Sequence, residues 1–129
     1  MVAISYLDAR RPLHPLHAIL LSIPLPLFIG ALICDVAYSR TWHVQWGNFS
    51  SWLIAGALVG CGLALLWALV ALIRNRGMGD RGRLPYFLVL LGLFVVGLIN
   101  AFVHAKDAAA TMPEGLWLSA ACVVLALVA

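Results

Sequence analysis

A few side chains able to exchange protons or hydrogen bonds interrupt the otherwise apolar sequence. Asp35 is the only carboxylate well inside a long apolar stretch, while Asn100 and His104 lie four residues apart and share one helical face. An ionisable group inside a membrane costs at least ~2.5 kcal/mol on insertion scales, so it normally faces a partner or water. Histidine changes charge between about pH 5 and 8. These residues indicate a proton-handling or ligand-binding pocket, with Asp35 as acceptor, His104 as titrating group and Asn100 orienting one of them.

The same residues also fit a structural role. With a rise of about 1.5 Å per residue, Asp35 reaches a depth comparable to that of the Asn100–His104 pair, so a hydrogen bond between two helices is expected there. Such interhelical bonds stabilise membrane proteins by about 0.6 kcal/mol on average. His43 is a further candidate on this side, in the connection after the first apolar stretch. The residues favour the structural bond, with the pocket as the alternative, and we predict no catalytic residue.

A second candidate group of polar residues lies at the start and in the first half of the first apolar stretch, and it consists of His14, His17 and Ser22. No Cys, Asp or Glu lies near enough in sequence to complete a metal site, so none is predicted. A b-type haem would sit between helices on axial histidines. His17 and His104 should lie near opposite surfaces, which leaves His43 with His104 as the axial pair to test. A quinone or lipid headgroup near either group is a further alternative.

The elements that must position these residues are four apolar stretches, namely Leu16–Ala37, Trp52–Ile73, Pro85–His104 and Met112–Ala129. Each is near or above the roughly 20 residues that cross a hydrocarbon core. The chain of 129 residues is 64% hydrophobic and 10% charged, whereas soluble domains carry about 25% charged residues. The sequence therefore predicts one all-α integral membrane domain over residues 1–129, a bundle of four transmembrane helices in a lipid bilayer.

The distribution of basic residues predicts the orientation of this bundle. Six of the eight fall before the first stretch or between the second and third, and they are Arg10, Arg11, Arg74, Arg76, Arg81 and Arg83. Arg40 and Lys106 fall in the other two connections. By the positive-inside rule, both termini are cytoplasmic. The net charge of +3 thus comes from basic residues whose positions orient the protein in the membrane. No nucleic-acid partner is expected.

Two prolines interrupt the first apolar stretch. Pro24 and Pro26 cannot donate backbone hydrogen bonds, and their rings clash with preceding carbonyl groups. Inside a bilayer those carbonyl groups need other partners. We therefore expect the first helix to be kinked at Pro24 and Pro26.

The second apolar stretch carries small side chains every four residues, at Gly56, Gly60, Ala64 and Ala68. Such strips allow two helices to approach closely. The strip favours packing within the bundle, and contact with a second copy or another membrane subunit is the alternative.

Three segments carry a resemblance to a known family, and they are HPLHAILLSIPLPLFIGALICD from His14, NFSSWLIAGALVG from Asn48 and NAFVHAKD from Asn100. They resemble a bacterial family of small predicted inner-membrane proteins catalogued as a domain of unknown function. The resemblance implies four transmembrane helices in a bacterial inner membrane. It also implies that the matching polar positions are His14, His17, Asp35, Asn100 and His104. The family brings no established activity.

Three hypotheses for function follow. The first is a non-enzymatic subunit or scaffold of a membrane complex, held by small-residue packing. The second is a redox-associated membrane component that binds haem or quinone through the histidines. The third is a small proton-linked transporter or channel that uses Asp35 and His104. The first requires the fewest special features.

Overall fold

The computed structural model describes residues 14–74 and 82–129 of the chain. Within these ranges the secondary structure is entirely helical. The helices are α1 (Pro15–Ser22), α2 (Pro24–Thr41), α3 (Val44–Arg74), α4 (Arg83–His104) and α5 (Glu114–Val128), with a short 3-10 turn at Ala108–Ala110. The predicted cytoplasmic lead, with Arg10 and Arg11, and the loop arginines Arg76 and Arg81 lie outside the described residues.

The helices form a four-membered bundle in which α1 continues into α2. Helix α2 packs against α3 and α5, and α4 packs against the same two helices. Short connections join successive helices, so neighbours run antiparallel. Pro15–Thr41, Val44–Arg74 and Arg83–His104 are each long and apolar enough to cross a membrane. Helix α5 is apolar as well, but with 15 residues it is shorter.

Large apolar side chains cover the outside of the bundle, and a smaller set of apolar side chains fills its centre. The central layer contains the buried Phe28, Ile54, Cys61, Leu93 and Cys122. On the outside, large hydrophobic side chains of all five helices are exposed. A contiguous apolar surface of this kind requires a covering, and a lipid bilayer supplies one.

The strip of small residues on α3 packs inside this bundle. Gly60, Ala64 and Ala68 are buried. A Cβ atom built on Gly60 would lie 2.7 Å from Cγ2 of Ile23, so only glycine lets α3 approach the junction of α1 and α2. The small side chains therefore serve packing between helices of one chain.

The connection between α2 and α3 is shorter than the sequence predicted. Helix α2 continues to Thr41 and α3 begins at Val44, eight residues before the expected start at Trp52. Trp42 adopts a left-handed conformation with φ of 57°, and its N–H group bonds the carbonyl oxygen of Tyr38. This left-handed residue ends α2, and α3 begins two residues later. Trp46 and Phe49, which lie between the first two apolar stretches in sequence, are thus part of α3.

The helical hydrogen bonding is interrupted at Ile23, between α1 and α2. Pro24 follows directly and lacks the N–H group that would continue the ladder. Ser22 donates its hydroxyl hydrogen to the carbonyl oxygen of Ile19 at 2.7 Å. The interruption lies where the prolines act, and the kink of the helix axis stays a prediction.

Candidate functional site

The carboxylate of Asp35 lies on α2, and its side chain is fully buried. Its Oδ1 lies 2.9 Å from Nε2 of His104 on α4. Its Oδ2 accepts the hydroxyl hydrogen of Ser119 on α5 at 2.5 Å. A buried carboxylate is costly unless it is paired and hydrogen-bonded, and both oxygens of Asp35 have such partners.

The imidazole of His104 closes the last turn of α4 and is held at both nitrogens. Its Nδ1 lies 3.0 Å from the backbone carbonyl oxygen of Asn100, one helical turn earlier. Its Nε2 contacts Asp35 and lies 3.3 Å from Oγ of Ser50 on α3. These bonds determine the orientation of the ring within the bundle.

The partners of His104 restrict where its hydrogens can be. A carbonyl oxygen only accepts, so Nδ1 must carry a hydrogen. The Ser50 hydroxyl donates to the carbonyl oxygen of Ala31 at 3.3 Å, so its oxygen acts as acceptor toward Nε2. All these bonds are satisfied together when Nε2 also carries a hydrogen, which makes an imidazolium facing the Asp35 carboxylate. If that proton moves to Oδ1, the pair keeps its net charge of zero but loses the bond to Ser50.

The network therefore contains side chains from α2, α3, α4 and α5. Asn100 extends it, because its amide nitrogen donates to Oγ of Ser119 at 2.9 Å. The amide oxygen of Asn100 has no hydrogen-bond partner among the described residues. The arrangement can hold one proton between Asp35 and His104. Movement of that proton changes hydrogen bonds to the other helices of the bundle.

Sequence reasoning missed Ser50 and Ser119 as members of this network. Ser119 is the only polar residue of α5 after Glu114, and an isolated hydroxyl in an apolar stretch was the available signal. Ser50 carried a weaker signal, since it lies among other polar residues before the expected span. Neither residue could be assigned a partner without the packing of the helices.

Gly115 at the start of α5 provides the space for the His104 ring. A Cβ atom at this position would lie 2.8 Å from Cε1 of His104 and 2.9 Å from Cγ2 of Thr111. The imidazole thus packs directly against backbone. Thr111 is buried beside it, and its hydroxyl donates to the carbonyl oxygen of Asp107 at 3.4 Å.

A cavity of about 500 Å³ reaches His104 from the adjacent end of the bundle. Its uncharged polar lining comes from the end of α2, the start of α3 and the connection before α5, and its charged lining follows the end of α4. The polar residues that line it are Tyr38, Gln45, Asn48, Ser51, Lys106, Asp107 and Thr111. Lys106 also lies 3.7 Å from the carboxylate of Glu114. We call this region, with the Asp35–His104 network, the His104 end.

Of the residues predicted for this end, the structure brings Asp35, Asn100 and His104 together. His43 is exposed in the connection between α2 and α3, where its backbone N–H group lies 3.4 Å from Oγ1 of Thr41. It does not line the cavity. The short connection keeps it outside the network.

The opposite end of the bundle, which we call the His17 end, holds a smaller polar group. Nε2 of His17 on α1 lies 2.8 Å from the hydroxyl of Tyr86 on α4. The rings of His14 and His17 lie 5.0 and 5.8 Å from that of Trp67 on α3. Nδ1 of His14 accepts from the N–H group of Leu16 at 3.3 Å and caps α1.

Ser22 is exposed and bonds only within its own helical segment, so the structure does not bring it to the two histidines. Tyr86 and Trp67 are the members that sequence reasoning missed. Both lie in stretches where aromatic residues are unremarkable, and only the packing of α1 on α3 and α4 selects them.

The histidines and carboxylates of the described residues do not form a metal or haem site. No group of three or more His, Cys, Asp or Glu side chains that could hold a metal occurs within residues 14–74 and 82–129. A haem on His43 and His104 does not fit this arrangement, because both nitrogens of His104 already bond within the bundle. Haem ligation there would break the contact with Asp35.

Comparisons with known proteins agree with the apolar helices. A family model described as a predicted membrane protein (DUF2231) matches residues 13–129. No curated protein and no solved structure matches the chain. The chain belongs to this family of membrane proteins of unknown function.

Proposed function

We propose that this protein is a multi-pass protein of the bacterial inner membrane that binds a small polar solute at the His104 end, with binding linked to a proton on Asp35 and His104. The observation that carries the proposal is a buried carboxylate–imidazole pair beside a polar cavity. An isolated structural bond between two helices needs no cavity next to it.

Four spanning helices with both termini cytoplasmic are the arrangement we propose for the membrane. Three helices have sufficient length, and α5 of 15 residues would span by local thinning of the bilayer, for which the cost per ångström is modest. The basic residues Arg74 and Arg83 support a cytoplasmic His17 end. The cavity would then open on the opposite, outer side.

The lining of the cavity indicates the class of solute. Lys106 and Asp107 contribute one charge of each sign, while Gln45 and Asn48 contribute amides that both donate and accept. The Asp35–His104 pair is neutral overall when it shares one proton. This balance favours an uncharged or zwitterionic solute over a strongly charged one. A volume of about 500 Å³ is in the usual range for small-molecule sites.

Proton linkage follows from the position of His104 beside the cavity. A solute that hydrogen-bonds near the ring changes the free energy of the imidazolium relative to the neutral ring. By reciprocity, proton binding then changes solute affinity by the same factor. The apolar central layer of Phe28, Ile54 and Leu93 separates this site from the His17 end. The proposal is therefore a binding site open to one side, and a continuous channel finds no support.

The test uses the full chain in lipid nanodiscs and a panel of neutral amino acids as probes. Thermal unfolding is measured at pH 6 and pH 8 with each probe. We expect at least one probe to raise Tm by a different amount at the two pH values, and this difference to disappear in His104→Gln. His43→Gln serves as the matched control, because it removes a histidine outside the cavity. A panel without any effect, or an unchanged pH difference in His104→Gln, would contradict the proposal.

The subunit or scaffold hypothesis is the second candidate. Trp52 and Trp117 are 72% and 71% exposed, and large exposed aromatic residues are enriched in protein interfaces. Anchoring at lipid headgroups accounts for them equally well. Extraction in a mild detergent followed by mass measurement separates the two, since a partner-free monomer contradicts the subunit hypothesis.

A further inference from the structure

A small apolar crevice lies between α1, α2, α4 and α5, away from the cavity at the His104 end. Its volume is about 140 Å³, and it is lined by Leu21, Pro24, Leu25, Leu90, Leu93, Ala126 and Ala129. Every lining residue is apolar. A cavity of about 150 Å³ with apolar walls stays dry and accepts a benzene-sized ring. The crevice therefore has room for one ring-sized apolar group.

The hydrogen-bonded pair His17–Tyr86 does not line this crevice, but it lies on the same two helices as two of the lining residues. His17 precedes Leu21 by four residues and Tyr86 precedes Leu90 by four, and residues with this spacing lie on one helical face. Both polar residues thus lie one helical turn from a lining residue of the crevice. The crevice is apolar along its walls and has a polar pair near the end of the bundle.

One nitrogen of this pair lacks a partner. His17 is only 4% exposed, and its Nδ1 has no hydrogen-bond partner among the described residues. Buried polar groups in proteins are normally paired, and an exception requires an explanation such as a missing ligand. The other ring nitrogen, Nε2, bonds the hydroxyl of Tyr86.

The His17–Tyr86 pair can present either a donor or an acceptor at this free nitrogen. If Tyr86 donates its hydroxyl hydrogen to Nε2, the hydrogen of the neutral imidazole is on Nδ1, which then donates. If Nε2 donates to the Tyr86 oxygen, Nδ1 carries a lone pair and accepts. Both arrangements keep the 2.8 Å bond. A ligand that alternates between accepting and donating at one oxygen matches this pair.

We propose that the crevice and the His17–Tyr86 pair form a binding site for the head ring of a lipid-soluble quinone. The ring enters the apolar crevice, and one ring oxygen bonds Nδ1 of His17 once the partly buried Leu21 side chain rotates. The oxidised ring accepts a hydrogen bond from Nδ1, and the reduced ring donates its hydroxyl hydrogen to Nδ1. The apolar tail lies along the lipid-facing surface.

A quinone fits these contacts better than a phospholipid does. A phosphate group favours cationic or multiple donor partners, and the crevice has no charged lining residue. Ester carbonyl oxygens accept hydrogen bonds but cannot donate. A quinone and its reduced form use both states of the His17–Tyr86 pair, and their ring has the size that the apolar crevice of about 140 Å³ accepts.

The test uses the full chain in phosphatidylcholine nanodiscs, with a benzoquinone carrying a ten-carbon tail as the probe. Trp67 is 5.8 Å from the His17 ring, so quenching of tryptophan fluorescence reports occupation of the site. We expect saturable quenching that is largely lost in Trp67→Phe. His17→Gln keeps an amide near the Tyr86 hydroxyl but removes Nδ1, and it should weaken binding at least tenfold.

Two further variants control for folding and for simple partition of the probe into lipid. Ala126→Phe fills the crevice without touching the polar pair, and it should also weaken binding at least tenfold. His43→Gln should bind the probe as the unaltered protein does. Quenching that never saturates, or equal affinities in His17→Gln, Ala126→Phe and the unaltered protein, would overturn the site. These outcomes are independent of solute binding at the His104 end.

Discussion

The two ends of the bundle both carry histidines, but the histidines have different surroundings. At the His104 end, one imidazole faces a buried carboxylate, and side chains from α2, α3, α4 and α5 join through it. At the His17 end, one imidazole bonds a single tyrosine and packs against a tryptophan ring. The Asp35 carboxylate at the first end is a buried charge that must be paired, while the side chain that bonds His17 at the second end is a neutral tyrosine. Residue type alone therefore does not define the chemistry of either end.

This difference predicts unequal costs of mutation. Removal of a partner from a buried charged pair leaves the other group uncompensated, which destabilises by about 3–5 kcal/mol. Removal of a neutral interhelical bond in a membrane protein costs about 0.6 kcal/mol on average. The experiments below compare the two ends, from the largest expected effect to the smallest.

Asp35→Ala should destabilise the protein most. The change leaves the His104 ring and the Ser119 hydroxyl without their buried acceptor, so we expect a loss of about 3–5 kcal/mol in the free energy of unfolding. Chemical unfolding in detergent micelles measures it. Asp107→Ala is the control, because Asp107 is exposed and surface substitutions usually stay within about 0.5 kcal/mol. Equal costs for the two variants would show that the network does not stabilise the bundle.

Gly115→Ala should come next. The added methyl group would lie 2.8 Å from Cε1 of His104, and such overpacking costs about 1–3 kcal/mol. Gly92→Ala is the matched control, since a Cβ atom there meets nothing within 4 Å and alanine favours the helix by up to about 1 kcal/mol. Thermal unfolding compares the two variants. If both raise Tm, the ring of His104 is free to move away from α5.

Ser119→Ala should cost more than Ser50→Ala. The Ser119 hydroxyl donates to Asp35 and accepts from Asn100, so its loss affects a bond to a charged group, worth about 1.5–3 kcal/mol. Ser50 makes two longer contacts of 3.3 Å, for which about 0.6 kcal/mol is expected. Unfolding of both variants under identical conditions gives the order. The reverse order would move the centre of the network toward α3.

Tyr86→Phe should have the smallest effect on stability. It removes one neutral bond to His17 and keeps the ring packing, so we expect a loss of about 0.6 kcal/mol. A loss as large as that of Asp35→Ala would mean that the His17–Tyr86 pair itself carries a buried charge. His17→Phe provides the second measurement, since a similar small loss would confirm that the pair is neutral.

Some of the candidate site could be predicted from residue spacing, and some could not. Asp35, Asn100 and His104 are polar residues of apolar stretches at matching depth, so a helical rise per residue sufficed to place them together. Ser119 contacts Asp35 although the two are 84 residues apart in sequence. That contact depends on α5 packing beside α2, which no local pattern expresses.

The predicted positions that stay apart show the same limit. His43 was grouped with His104 from its side of the membrane alone. The early start of α3 at Val44 leaves it exposed in a short connection. Ser22 was grouped with His17 from its helix alone, and the helical phase directs it outward.

The sequence by itself determined that the chain is apolar and helical, because backbone groups in a bilayer must bond within their own segment and apolar residues dominate each stretch. These interactions are local and can be deduced from the order of residues. Only the tertiary structure decided that Asp35, Ser50, His104 and Ser119 form one network, and that His17 bonds Tyr86. Such contacts join residues distant in sequence, and they depend on the rotation and neighbours of each helix, which are determined by close packing at positions such as Gly60 and Gly115.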